Sequence, residues 1–402
     1  MRDLTPDKDR PRLAVVTPLP PLQSGVAQYS AFTFSAVASV TDLVIYTDTK
    51  SGPAPIPGAE LKPYSMKPYV DRDYDAVISV VGNSHFHIPV MEYFLELGGA
   101  CIAHDPRMTE LYYFWRGSRK LAEIFSRHTD RPVSSEQVPG LLEKMDELPS
   151  IGYDEIAPRA RPLLVHSTGM AERILEDTGV KPLVLPYVPH HVPVEKSLGP
   201  ETAAAARQKL GWQEDKLHIV SFGLIDLRTK ANDVILDAVA LLRQWGIDCQ
   251  IHFVGTGPEL ELEKLMRRAL RLGISSALHL AGWAPADVMD DYLLAADAAV
   301  QLRTYALAPL SGALLDCMAF GLPSIATESL AAEMNAPAYI RGIPDRFSGL
   351  LLAEALGKVL ESRRLQSSEA IEPLRHDWMA ERTGAVYASS LLDALGFGGA
   401  PS

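Results

Sequence analysis

The chain is poor in cysteine, has no long apolar run, and carries fewer basic than acidic side chains. Its three cysteines, Cys101, Cys249 and Cys317, stand far apart. They make no CxxC or other metal-ligand spacing, and few unpatterned cysteines fit a reducing compartment. Cys101 and Cys249 lie in apolar strand-like runs and are expected to be small buried hydrophobes. No apolar stretch approaches the ~18 residues needed to span a membrane. The N-terminal MRDLTPDKDR is charged rather than apolar, so no secretory signal is expected and the chain is expected in the cytoplasm. With 38 Lys and Arg against 50 Asp and Glu, the net charge of −12 argues against nucleic acid as a partner. A local basic pocket for one anionic group remains compatible with it. No HExxH or similar pattern occurs, so no bound metal is expected.

What is present is a pattern of two α/β halves. A length of 402 residues is too great for one core, and a composition 47% hydrophobic and 22% charged is that of an ordinary globular protein. Short apolar runs at 12–17, 43–46, 76–80, 100–103 and 163–166 predict strands, with helical stretches between several of them. A second series follows at 218–222, 250–254, 278–281, 298–302 and 324–326. Such alternation implies parallel sheets covered on both faces. Residues 128–160, rich in proline and charge, break the rhythm and read as an insertion with one helix near 138–148. The proline-rich stretch 182–200 is the linker candidate. The expected domains are therefore Rossmann-like units over 1–195 and 196–375.

Three loops of the second half could carry chemistry. The strand at 218–222 runs into Gly223 and the loop GLIDLRTKAND, where Arg228 and Lys230 precede a helix. Glycine lets the backbone turn closely, a helix start offers free N–H groups, and the cations could neutralise a diphosphate. Gly255, Thr256 and Gly257 form a tight turn after the next strand, at the carboxyl end where open sheets bind ligands. Ser311 and Gly312 can open a helix on which Asp316 follows, and Gly321-Leu322-Pro323 ends it. In the first half, Gly25 makes the turn after the first strand. His104 and Asp105 close the strand at 100–103, where an imidazole can meet a hydroxyl or move a proton. His85, His87 and His166 are weaker candidates. The segment KLMRRALRL at 264–272 reads as an amphipathic helix on the sheet, and a peripheral membrane contact is the competing reading.

Together the segments PLPPLQSGVAQYS, GNSHFHIPVMEYFLELGGACIAHD, LLVHSTGMAERI, SFGLIDLRTKAND, HFVGTGPE, AGWAPADVMDDYLLAADAAVQLRT and SGALLDCMAFGLPSIAT resemble, in order, the retaining glycosyltransferases of family 4. The resemblance implies the GT-B architecture, two Rossmann-like domains facing a central cleft, with a terminal helix in 376–402 crossing back to the first domain. It implies a nucleotide-sugar donor, a glycan or lipid-linked acceptor, and no cofactor or metal. A place in polysaccharide assembly, with a membrane or protein partner left open, goes with it. Lys230 would bind the donor diphosphate with Asn232 supporting its loop, and Ser311 and Gly312 would offer groups to the phosphates. Asp316 matches the second carboxylate of the family's paired-acid motif, Gly25 would sit near the phosphates, and His104 would touch the transferred sugar.

Two departures stand out. Ala308 and Pro309 occupy the region of the family's first acid, and Leu224 replaces an arginine often found after the strand. Arg228 or Arg303 would then have to compensate. The alternative reading is a GT-B protein that no longer catalyses and serves as a binding or partner subunit. A nicotinamide-dependent oxidoreductase lacks its glycine fingerprint, since the first loop has only Ser24-Gly25.

Overall fold

The computed structural model describes residues 10–53, 55–67, 74–193, 198–365 and 370–398. The charged start of the chain, 1–9, lies outside them. The chain divides into two compact units, residues 1–190 with 381–402 and residues 191–380. These limits differ from the expected 195 and 375. The helix Glu372–Ala380 stays with the second unit because Arg375 Nη1 donates to Ala319 O at 3.2 Å and Trp378 Nε1 to Asn335 O at 3.0 Å.

The first unit is built on seven parallel strands: β1 (Arg12–Val16), β2 (Asp42–Thr47), β3 (Ala59–Pro63), β4 (Ala76–Val81), β5 (Ala100–Ala103), β6 (Leu163–Val165) and β7 (Leu183–Val184). Their order is β3-β2-β1-β4-β5-β6-β7. The inner strands are short apolar runs because both sheet faces are covered, and Leu13, Val15, Leu43, Ile45, Ile78 and Ile102 form the core. The final helix, Gly384–Ala394, packs on the helix Gly25–Ala38 and adds Tyr387, Ala388 and Leu391 to that core. Its N-cap is Thr383, whose hydroxyl accepts from Val386 N at 3.1 Å.

Residues 128–160 hold a shorter helix than expected, Val138–Leu142, followed by one 3-10 turn. They are also more integral than an insertion suggests, since Ile151, Tyr153, Ile156 and Ala157 are fully buried.

The second unit has six parallel strands: β8 (Leu217–Phe222), β9 (Cys249–Val254), β10 (Leu278–Gly282), β11 (Ala298–Gln301), β12 (Ser324–Thr327) and β13 (Ile340–Ile343). The order is β10-β9-β8-β11-β12-β13. A histidine ladder crosses β8, β9 and β10. His218 Nε2 meets the Gln213 carbonyl at 3.1 Å, so that nitrogen is the donor. His218 Nδ1 therefore accepts, and His252 Nε2 donates to it at 2.9 Å. His279 stacks on His252 at 4.5 Å and its Nε2 meets Gln250 Oε1 at 3.0 Å. Trp212 lies flat over His218 at 4.1 Å and over His252 at 4.3 Å.

The amphipathic segment lies in the helix Glu259–Arg271, which buries Leu265 and Ala269. Its Lys264, Arg267 and Arg268 pair with Glu261, Glu263 and Asp237, while Leu270 is 72% exposed. The three cysteines are free and buried. Among the described residues no helix is long and apolar enough to cross a membrane.

Candidate functional site

The loops at the carboxyl ends of β8, β9 and β11 are laced together by their own backbone. Gly223 follows β8 with φ +92°, a conformation L side chains rarely adopt, and its N–H donates to Val254 O at 2.9 Å. Ile225 N donates to Thr256 O at 2.7 Å. Gly255 has no room for a Cβ, which would run into the Gly223 carbonyl, and a Cβ on Gly257 would meet Ile225 O. The Gly255-Thr256-Gly257 turn is thus glycine-bracketed so that two loops can touch. Thr256 itself is exposed.

From Gly223 the chain enters a single helical turn, Leu227–Lys230, capped by Asp226, whose Oδ1 accepts from Arg228 N at 2.9 Å and Thr229 N at 3.2 Å. Asn232 Oδ1 accepts from Asp226 N at 2.9 Å and holds the turn from its far side. Thr304, after β11, is stitched to the same turn: its N–H donates to Thr229 O at 3.1 Å and its hydroxyl to Arg228 O at 2.6 Å.

These bonds bring two cations together. Lys230 Nζ lies over Gly223, 2.7 Å from where a Cβ would stand, and donates a long 3.4 Å bond to Phe222 O. Arg303 is buried, its guanidinium donating to the carbonyls of Leu302 at 2.8 Å and Leu310 at 2.9 Å. Burial of the ammonium, and then the Arg303 charge, push Lys230 down to about 7, with Asp226 acting in the opposite direction. Arg228 differs: the residue is exposed, and its backbone rather than a buried guanidinium serves the turn.

The third loop opens the helix Gly312–Ala319. Ser311 is buried and caps it, its hydroxyl accepting from Leu314 N at 3.2 Å, so this oxygen is engaged within the helix. Asp316 is only 1% exposed and its Oδ1 accepts from His191 N at 3.3 Å. The His191 ring shares a 2.9 Å hydrogen bond with Asp290 Oδ1. Burial opposes charge on that imidazole, yet the Asp290 bond and the charges of Asp316 and Asp290 outweigh it and raise its affinity for a proton. Ala308, in the region of the missing acid, is 7% exposed and has φ +41°.

Gly25 and His104 belong to the first unit. Gly25 starts the helix Gly25–Ala38 with nothing within 4 Å of a would-be Cβ. His104 is buried just beyond β5. Its ring stands edge-on to Tyr29 at 4.7 Å and to His166 at 5.0 Å, and its Nε2 has no hydrogen-bond partner. Burial lowers it to about 4, so the ring is neutral at physiological pH. Asp105 turns elsewhere, its Oδ2 accepting from Asn83 N at 2.6 Å and its charge acting on His87. Asn83 also accepts from Glu110 N and Leu111 N and so caps the helix Thr109–Ser126; no pattern in the sequence signalled it.

Residues 216–354 match the family model described as glycosyl transferases group 1. Lys230, Arg303, Ser311 and Asp316 all fall inside that span. A comparison with curated protein sequences finds no match. Among solved structures, HepE of Anabaena in complex with UDP and glucose is similar at 11% identity, with a TM-score of 0.65 over 96% of this chain and 99% of that one. A glycosyltransferase from Rickettsia africae is similar at 13% identity and a TM-score of 0.63, covering 96% and 98% of the two chains. Sucrose-phosphate synthase from Thermosynechococcus elongatus is similar at 14% identity and 0.60, covering 96% of each.

The fold is GT-B. In such terms the first and second units are the two parallel-sheet domains, and the cation pair stands in the second, at the strand ends where open α/β sheets bind ligands.

Proposed function

We propose that the chain is a retaining glycosyltransferase that moves a hexose from a nucleotide diphosphate sugar to a glycan or glycoconjugate acceptor. The observation that carries this reading is the Lys230 and Arg303 pair, a partly buried lysine beside a buried arginine, held together by the Thr304 stitches inside the glycosyl transferases group 1 region. Two adjacent cations repel, and a diphosphate converts that repulsion into attraction. Gly223, Gly255, Thr256 and Gly257 line its approach with backbone, and Gly312 presents a helix start to the phosphates. Asp316 takes a ribose hydroxyl, exchanging it for the His191 N–H.

In the reaction the bond between the anomeric carbon and the diphosphate oxygen breaks. An acceptor oxygen bonds to the same face of the sugar, and its proton passes to the leaving phosphate. No side-chain base is then required, and the two cations stabilise the departing charge in place of a metal. HepE was solved with UDP and glucose, which makes a UDP-hexose the first donor to try.

A second reading, a sugar-nucleotide binder without turnover, is favoured by Ala308 at φ +41° and Pro309 in the region of an acid. Calorimetric titration with UDP, GDP, ADP and dTDP, paired with a donor-hydrolysis assay, tests both. Binding of one nucleotide, weakened tenfold by Lys230→Ala, supports the donor site, and turnover decides for the enzyme. Binding without turnover across acceptors decides for the second reading, and no binding at all refutes both.

A further inference from the structure

His166, to which no role is yet given, stands just beyond β6, as His104 does beyond the paired strand β5. It is 5% exposed, and its ring stacks on Tyr187 at 5.1 Å and lies 5.2 Å from Tyr29. Neither of its ring nitrogens has a hydrogen-bond partner, and beside it His104 Nε2 is equally unpartnered. Leu185 backbone lies close enough to favour the charged ring, but outside hydrogen-bond geometry. Three buried ring nitrogens without partners are not what packing alone would keep.

The chemistry of the missing partner follows from the cluster. Burial, and then the neighbouring imidazole, hold His166 well below its ordinary range, so both rings are neutral. A neutral imidazole offers one donor and one acceptor, the complement of a hydroxyl group. Among the described residues the side chains whose charge acts on the two rings are imidazoles, His104 on His166 and His190 on His104, so a neutral ligand suits them better than a charged one. Tyr187, partly exposed and stacked on His166, supplies aromatic surface suited to the C–H face of a saturated ring.

We propose that His166 and His104 together bind adjacent hydroxyls of a pyranose ring, with His166 a sugar-binding residue in its own right. This deepens the sugar-transfer reading and rests on it for the sugar's source, which is either the hexosyl group of the donor or a sugar of the acceptor.

The test uses the full chain with histidine labelled in its ring nitrogens, followed by NMR. The additions are UDP alone, free glucose, galactose, mannose and N-acetylglucosamine, and the corresponding nucleotide-linked sugars. Sugar-containing ligands are expected to shift the His166 ring nitrogens, and UDP alone is not. A response to nucleotide-linked sugar only identifies the donor hexose; a response to free sugar in the presence of UDP identifies the acceptor. His166→Phe, which removes the orphaned nitrogens, should weaken sugar-dependent binding about tenfold, leave UDP binding unchanged and leave Tm unchanged or higher. No His166 shift with any sugar, while UDP still binds, overturns the proposal and spares the transferase reading. A hexose response without any nucleotide binding keeps the proposal and removes that reading. If His166→Phe fails to fold, the wild-type titration still decides.

Discussion

Both units stack imidazoles against aromatic rings, and the two clusters differ in whether their nitrogens are satisfied. In the second unit, His218 and His252 are hydrogen-bonded to each other, His218 also to Gln213, and His279 to Gln250, with Trp212 covering the first two. In the first unit, His104 and His166 are equally buried and equally ringed by aromatics, yet three of their nitrogens are unpartnered. A buried polar cluster that completes its own bonds is a structural element. One that does not complete them holds bonding capacity in reserve, and it stands at strand carboxyl ends, where ligands bind. The Lys230 and Arg303 pair is the charged counterpart of that reserve.

The sharpest break of the contrast is His252→Leu. It leaves His218 Nδ1 without its donor inside the sheet, and a loss of about 2–3 kcal/mol in denaturant unfolding is expected. His166→Phe, of similar burial, should cost nothing. Lys230→Ala extends the contrast to charge: nucleotide affinity should fall tenfold or more, about 1.4 kcal/mol by calorimetry, while Tm does not drop because the repulsion with Arg303 has gone. A fall in Tm of several degrees would make Lys230 a structural residue instead.

The satisfied cluster also carries a pH dependence of its own. Burial, then His279 and His218, push His252 down to about 3, below its unfolded value near 6.5. Its contribution to stability is therefore complete above pH 6.5 and is lost as pH falls toward 3, by up to about 1.4 kcal/mol per pH unit. Acid unfolding of wild type against His252→Gln should show that slope flattened. Lys230 works in the other direction for binding. Free Lys230 loses its proton above about pH 7 and a bound diphosphate restores it, so nucleotide affinity should decline above pH 7 in wild type and lose that dependence in Lys230→Ala. The smallest effect serves as a control for ordinary satisfied groups. Thr383→Ala removes the cap of the last helix and should cost about 1 kcal/mol without touching any ligand.

The inner strands were legible because burial on both faces writes them as unbroken apolar runs. Three edge strands were not. β3 reads AELKP and is half-exposed, β7 is two exposed residues inside a proline-rich stretch read as linker, and β13 carries Arg341 and Gly342 at its centre. An edge has one neighbour and a wet side, so an apolar run need not mark it, although the edge strand β10 does carry one. Around the site, a strand followed by glycine and lysine pointed to Lys230. The choice between Arg228 and Arg303 was open until the Thr304 stitches drew β11 toward the turn, a long-range contact with no local signature. His166 read as no more than a weaker candidate, and the His191 bond to Asp316 was invisible, for the same reason: spacing in sequence does not report which nitrogens end without a partner.

The helix Gly384–Ala394 closes the first unit's core after the whole of 191–380 has intervened. A ribosome therefore completes every strand of both sheets before the last piece of the first hydrophobic core emerges. Until then the apolar side of the helix Gly25–Ala38 that Tyr387 and Leu391 will cover stays open to water, a waiting period in which chaperone capture would compete with closure.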